Sequence, residues 1–276
     1  MKIQKRNNDL EVVCDGCINL DYTLDCGQSF RWEKKENIWS CVSYGRKISV
    51  EQTGENTLIF YNVTEEDFEN IWKTYFDLDR DYVSLVSRFE TDEHLKKATG
   101  EFFGIRVLNQ EPWEALCSFI ISQNNNIPRI KGIIKRLCEN FGDDLGDGFF
   151  TFPSAEKLST LTAEDLSPLR AGFRAKYIID AAKKVSCGEI NFDEIMKNDI
   201  SYGRETLQKI CGVGPKVAEC CLLYGCRKAD AFPVDVWVKR IMAELYTEGL
   251  PTCAYPEIGI AQQYLFHWRR NVDNTL

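Results

Sequence analysis

The chain changes character once, near residue 62, and that change narrows the folds open to it. Ahead of it, Ile38 to Tyr44 leads by Gly45-Arg46 into Lys47 to Glu51, and Thr57 to Tyr61 follows a Gly-Glu-Asn turn. Such aromatic and β-branched enrichment with polar interruptions predicts short antiparallel strands, one face solvated, over residues 10 to about 62. Behind it the apolar spacing is helical. Thr64-Glu65-Glu66-Asp67 reads as a capped helix start. Trp113 to Ile121 is apolar enough for a buried helix, and Ile127 to Phe141 repeats apolar residues at three- and four-residue spacing. Ser154 to Lys157 and Thr162 to Asp165 are two more helix starts, and Tyr177 to Val185 is a further amphipathic helix. The expected fold is α+β, mostly α. A β-rich N-terminal domain over residues 1–104 precedes an all-α body over 105–276, and 276 residues suffice for two such cores.

No apolar run approaches the ~20 residues of a membrane span. Met1 to Asn8 leads into Asp9 and Glu11 rather than an apolar signal core, so secretion is not expected. Twelve cysteines with a single CxxC (Cys14, Cys17) and two histidines complete no zinc set. Cys220, Cys221 and Cys226 lie in one apolar stretch rather than an iron–sulfur loop. The thiols are expected to be reduced and mostly buried, in the cytosol, with no metal or other cofactor. A net charge of −8 argues superficially against nucleic acid, but its distribution weakens the objection: −6 over residues 1–100 and −2 over 101–276. Arg129, Lys131, Lys135 and Arg136 share a stretch free of acids from Glu114 to Glu139.

The most informative segment runs from Leu207 to Arg240. A helix ends near Ile210, Cys211-Gly212-Val213-Gly214-Pro215 makes a tight turn, and Lys216-Val217-Ala218 opens a second helix. The glycines let the backbone turn sharply, and proline suits the first helical turn. N–H groups around Gly212, Gly214 and Val217 would favour an anion such as a DNA phosphate. The spacing alone fits an ordinary αα-hairpin equally well. Nineteen residues after Lys216 comes Asp235, in Phe-Pro-Val-Asp-Val, where it would also cap the helix that follows.

Taken together, Leu-x-x-Ile-Cys-Gly-Val-Gly-Pro-Lys-Val-Ala and the later Pro-Val-Asp resemble the helix-hairpin-helix DNA glycosylase superfamily, with the hairpin at about residues 203–225. The resemblance implies that the hairpin grips the DNA backbone and that Asp235 faces the damaged nucleotide. It also marks Lys216 as the amine of a bifunctional member, which removes a base and then cuts the strand. An amine attacks only when neutral, and a Schiff base at C1′ permits β-elimination.

Three further segments are similar to the 8-oxoguanine branch. Gly27-Gln28-Ser29-Phe30-Arg31-Trp32 implies that the Gly27 carbonyl accepts N7–H, a hydrogen that guanine lacks. Ser122-Gln123-Asn124-Asn125-Asn126-Ile127 implies that Asn124 contacts the unpaired cytosine, with Arg129 and Arg174 reaching its acceptor edge. Phe173 would be the wedge in the vacated stack. Gly259 to Phe266 implies that Gln262 reads the Watson–Crick edge of the flipped base, between Phe266 on one face and Cys220 on the other. Glycine turns, polar turns and core packing are the ordinary fates of these residue types, and only their joint appearance in order argues otherwise. One departure stands out: Trp237 occupies a position where eukaryotic relatives carry histidine. The expected partner is duplex DNA containing 8-oxoguanine, met by a monomeric, bacterial-type cytosolic enzyme without a membrane. The competing readings are a glycosylase for another lesion, such as an alkylated base, and a non-catalytic DNA-binding module.

Overall fold

The computed structural model describes residues 1–273. Six antiparallel strands form one sheet in the order β1-β2-β6-β5-β4-β3: β1 (Lys2–Arg6), β2 (Asp9–Val13), β3 (Glu33–Lys35), β4 (Ile38–Ser43), β5 (Arg46–Gln52) and β6 (Thr57–Tyr61). The alternation in β2 and β6 buries Leu10, Val12, Leu58 and Phe60 on one face, each side chain contributing about 1.5–3 kcal/mol. The strands anticipated over 38–61 are present. Strand β1 was not anticipated, because Lys2-Ile3-Gln4-Lys5-Arg6 is exposed along its whole length and carries no alternation. The stretch read as strands is also interrupted by a helical turn, α1 (Leu20–Leu24), whose cap Asn19 accepts the Tyr22 N–H at 2.9 Å.

The rest is helical: α2 (Glu65–Asp67), α3 (Lys73–Tyr75), α4 (Tyr82–Phe89), α5 (Glu93–Glu101), α6 (Pro112–Ser122), α7 (Ile127–Phe141) and α8 (Ala155–Ser159). Then follow α9 (Arg174–Ser186), α10 (Phe192–Lys197), α11 (Ile200–Leu207), α12 (Pro215–Tyr224), α13 (Val236–Glu244) and α14 (Ile258–Asp273). The start anticipated at Thr162 does not propagate. Thr162 and Asp165 exchange capping bonds, the Thr162 N–H reaching the carboxylate at 2.8 Å, but a turn and the short 3-10 segment Ser167–Leu169 follow. Pro168 lacks the N–H that a continuing helix would use.

Two hydrophobic cores result. One lies beneath the sheet and ends with Phe76, Leu78 and Leu108; the other gathers the helices from Tyr82 onward and takes in Phe30. The segment 105–110 joins them, and Gln28 secures it. The fully buried Gln28 amide donates to the carbonyls of Thr23 and Arg106, both at 2.8 Å, and accepts the Leu108 N–H at 2.8 Å. Its own carbonyl accepts from Gln110 at 2.6 Å. Three residues on, Arg31 reaches Glu114 of α6 at 3.0 Å in a buried ion pair. Burial raises the Glu114 carboxyl pKa, and the Arg31 guanidinium opposes that rise.

Candidate active site

The hairpin joins α11 to α12 through a turn that only glycine permits at one point. Gly212 has φ +77°, and a Cβ there would lie 2.4 Å from the Tyr177 ring. The Cys211 N–H donates to Asp180 at 2.7 Å, and the Val213 N–H closes on Ile210 at 3.0 Å. Gly214 caps α12 and Pro215 opens it. The first helical bond runs from Ala218 N–H to the Gly214 carbonyl at 3.0 Å, so the Lys216 and Val217 amides precede any intrahelical acceptor. The hairpin therefore ends in two amides, those of Lys216 and Val217, without a helical partner.

From Val217 to Tyr224, α12 is buried on every side; Lys216, at its exposed end, is half-buried. The Lys216 Nζ lies over the Phe119 ring, 5.2 Å from its centroid, and donates to Ser122 Oγ at 3.3 Å. One turn on, burial pushes the Cys220 thiol pKa up, Lys216 pulls it down, and Asp235 and Glu219 push it up again. Lys216, Asp235 and Glu219 are thus all close enough to act on the Cys220 thiol. Asp235 caps α13, accepting the Val238 N–H at 2.8 Å, so the capping role anticipated for it is real and fixes the carboxylate.

Glu219 is not among the residues that the motifs mark. It accepts two bonds from Arg204 of α11 and the Phe232 N–H at 2.7 Å, tying the Phe232-Pro233-Val234-Asp235 segment to the helix that bears Lys216. A signal did exist, since one carboxylate in an otherwise apolar helix must find a partner.

Gly27 has φ +88°; a Cβ there would point at Arg270 Nη1 (3.5 Å) and at Ile127 and Phe266 (both 3.9 Å). Gly27 and Phe266 are thus neighbours, as anticipated. Gln262, one turn before Phe266 on α14, is 4% exposed, and its Oε1 has no hydrogen-bond partner among the described residues. Tyr224 links this wall to the lysine: its hydroxyl donates to Gln263 at 2.6 Å, its ring stacks on Phe119 at 5.2 Å, and Cys26, Cys220 and Asp235 all raise its pKa beyond the effect of burial.

On the other side, Asn124 is exposed with φ +46°, and Arg129 is exposed on the first turn of α7, its N–H held by Asn126 at 3.0 Å. Phe173 is 45% exposed, which rules out simple core packing. Arg174 corrects the expectation. It is 3% exposed, and its guanidinium donates to the Gln123, Asn124 (2.9 Å) and Ala171 (3.2 Å) carbonyls. Those donors hold the asparagine turn from beneath and are not available to an orphan base. Trp237 is half-buried, with the Arg240 guanidinium stacked on its indole at 5.0 Å. A separate groove of about 560 Å³ between β3–β4 and α7 contains none of Lys216, Asp235 or Gln262.

Residues 12–116 match the family model of the 8-oxoguanine DNA glycosylase N-terminal domain, and residues 117–250 match that of HhH-GPD superfamily base excision DNA repair proteins. A Saccharomyces cerevisiae N-glycosylase/DNA lyase is 37% identical over 256 residues, covering 81% of this chain and 67% of the yeast protein. Among solved structures, MBOgg1 in complex with a low affinity DNA ligand superposes with a TM-score of 0.91 at 40% identity, covering 99% of both chains. The Clostridium acetobutylicum 8-oxoguanine glycosylase/lyase, bound to duplex DNA with cytosine opposite 8-oxoguanine, gives 0.91 at 36% identity, again over 99% of both chains.

Proposed function

The chain belongs to the 8-oxoguanine DNA glycosylases of the HhH-GPD superfamily of base excision repair proteins, and from that premise we propose how its own residues carry the reaction. It is a bifunctional base-excision repair enzyme, a DNA glycosylase and abasic-site lyase acting on 8-oxoguanine. The hairpin amides of Gly212, Gly214 and Val217 hold a phosphate while the lesion leaves the stack. The flipped base lies on Phe266 with Cys220 over its other face. Gln262 meets its Watson–Crick edge and the Gly27 carbonyl accepts N7–H. Guanine would set an N7 lone pair against that carbonyl, two acceptors facing each other.

Lys216 is the nucleophile. Its amine lone pair forms a bond to C1′, the C1′–N9 electron pair departs with the base, and the base takes up a proton. Opening of the sugar gives an imine, and loss of a C2′ proton expels the 3′ phosphate. Asp235, fixed by its cap, stabilises positive charge developing on the sugar and helps deprotonate the amine. Across the duplex Asn124 and Arg129 meet the orphan cytosine, Phe173 fills the gap, and Arg174 keeps their turn in place. The reading needs no group from a second chain, in keeping with action as a monomer. The observation that carries this reading is the Lys216 amine set over Phe119 and bonded to Ser122, one helical turn before Cys220.

Borohydride treatment with a labelled duplex carrying 8-oxoguanine opposite cytosine tests it. The enzyme should give a covalent adduct on the lesion duplex and none on undamaged DNA. Lys216→Gln should abolish the adduct and slow excision by about a thousandfold or more while keeping lesion binding. Undiminished trapping by Lys216→Gln would remove Lys216 from this role.

A further inference from the structure

Gln262, Phe266 and Arg270 recur every four residues on α14 and so form one stripe along a single helix face. Gln262 lies at the buried end and Arg270 is half-buried at the other. At 1.5 Å per residue the two are separated by about 12 Å along the axis, with Phe266 midway. The Arg270 guanidinium carbon is 6.0 Å from the Phe266 ring centroid, and its Nη1 lies 3.5 Å from the point toward which Gly27 would project a Cβ. Among the described residues this guanidinium has no hydrogen bond or ion pair. The nearby carboxylate of Asp25 is held by Lys131 at 3.3 Å. His267, the neighbouring base on the same helix, is pushed down to about 4 by burial and by Arg270 itself, so it brings no second cation at neutral pH.

A purine lying on Phe266 with its Watson–Crick edge at Gln262 turns its five-membered ring toward Arg270. That end carries the oxygen which distinguishes the lesion. We propose that Arg270 is a specificity-determining residue whose guanidinium donates to the 8-oxo carbonyl of the flipped base, beside the N7–H that Gly27 accepts. The proposal rests on the lesion reading given above and extends it. Undamaged guanine offers C8–H at this place, so it would lose the Arg270 bond as well as the Gly27 bond. The guanidinium also acts on the reaction itself. When the C1′–N9 pair moves into the purine, part of the charge settles on the 8-oxygen, where a cation favours the departing anion over the bound base.

The test uses Arg270→Met, with Arg270→Gln as a second variant should the first disturb folding. Single-turnover excision of 8-oxoguanine should fall by about tenfold to a hundredfold, and cleavage of a preformed abasic site should stay within about twofold, which also verifies the fold. In the Lys216→Gln background, Arg270→Met should weaken binding to the 8-oxoguanine duplex and leave a tetrahydrofuran duplex, which has no base, unaffected. Equal losses on both duplexes would assign Arg270 to a phosphate oxygen and overturn the proposal. Unchanged excision and binding by both variants would overturn it too. A wild-type enzyme that failed to excise 8-oxoguanine would instead defeat the underlying reading.

Discussion

Gly27 and Asn124 both sit in left-handed backbone, at φ +88° and +46°, but their surroundings differ. Beside Gly27 the supporting groups are buried. Gln28 has its amide and carbonyl occupied, Arg31 is paired with Glu114, and Gln262 is sequestered in α14. Around Asn124 the presented side chains, Arg129 and Phe173, are exposed, and only their support, Arg174, is buried. A wall of the first kind discriminates by refusal, because a mismatched base leaves its polar atoms unpaired away from water. A surface of the second kind discriminates by attraction, since a mismatched partner is resolvated at small cost. Lesion choice should therefore be stricter than choice of the opposite base.

The comparison can be broken most forcefully at Gly27. Gly27→Ala adds about 1–2 kcal/mol of backbone strain and crowds the slot beside Phe266, so excision should fall by about a hundredfold while undamaged duplex binds as before. A rate near wild type in a single-turnover assay would show the wall to be soft. Next come the two arginines of the opposite side. Arg174→Met strands three backbone carbonyls and should lower stability by about 2–3 kcal/mol in urea melts. Arg129→Ala should leave stability within about 0.5 kcal/mol but reduce the preference for cytosine roughly tenfold. Equal destabilisation by both would erase the distinction between support and reader.

The smallest effect concerns pH. The His267 pKa is lowered from 6.5 to about 4 by burial, so the unfolded chain binds more protons between those values. Stability present above pH 6.5 is then lost as pH falls toward 4. His267→Leu should flatten that acid limb, removing about 1 kcal/mol of the loss between pH 7.5 and 5.5. A pH-stability curve unchanged by the substitution would place the imidazole in water rather than among Tyr22 and Phe102.

Periodicity and turn chemistry made much of this legible in the sequence. The sheet over 38–61, α7 with its bounds, and the hairpin geometry all follow from patterns local in the chain. The site residues were marked by family motifs, and their supports were not. Arg174 and Glu219 acquire their meaning from partners 50 and 13 residues away, distances at which charge type says little about who meets whom. Gln28 lies within the Gly27-to-Trp32 segment, but nothing local shows that its amide joins two cores. Strand β1 lacked an alternating face and α1 rested on a single asparagine cap, so neither offered a period to read.

The hairpin's donors have a further consequence. Main-chain amides carry no unit charge, so a phosphate held by Gly212, Gly214 and Val217 is held without displacing the full set of counterions that lysine contacts release. On the proposed reading, the hairpin's share of the grip on DNA would then change gently with ionic strength, leaving the salt dependence to side chains such as Arg129. Sliding between sites would then be governed less by salt than by how readily a base pair opens beneath Phe173.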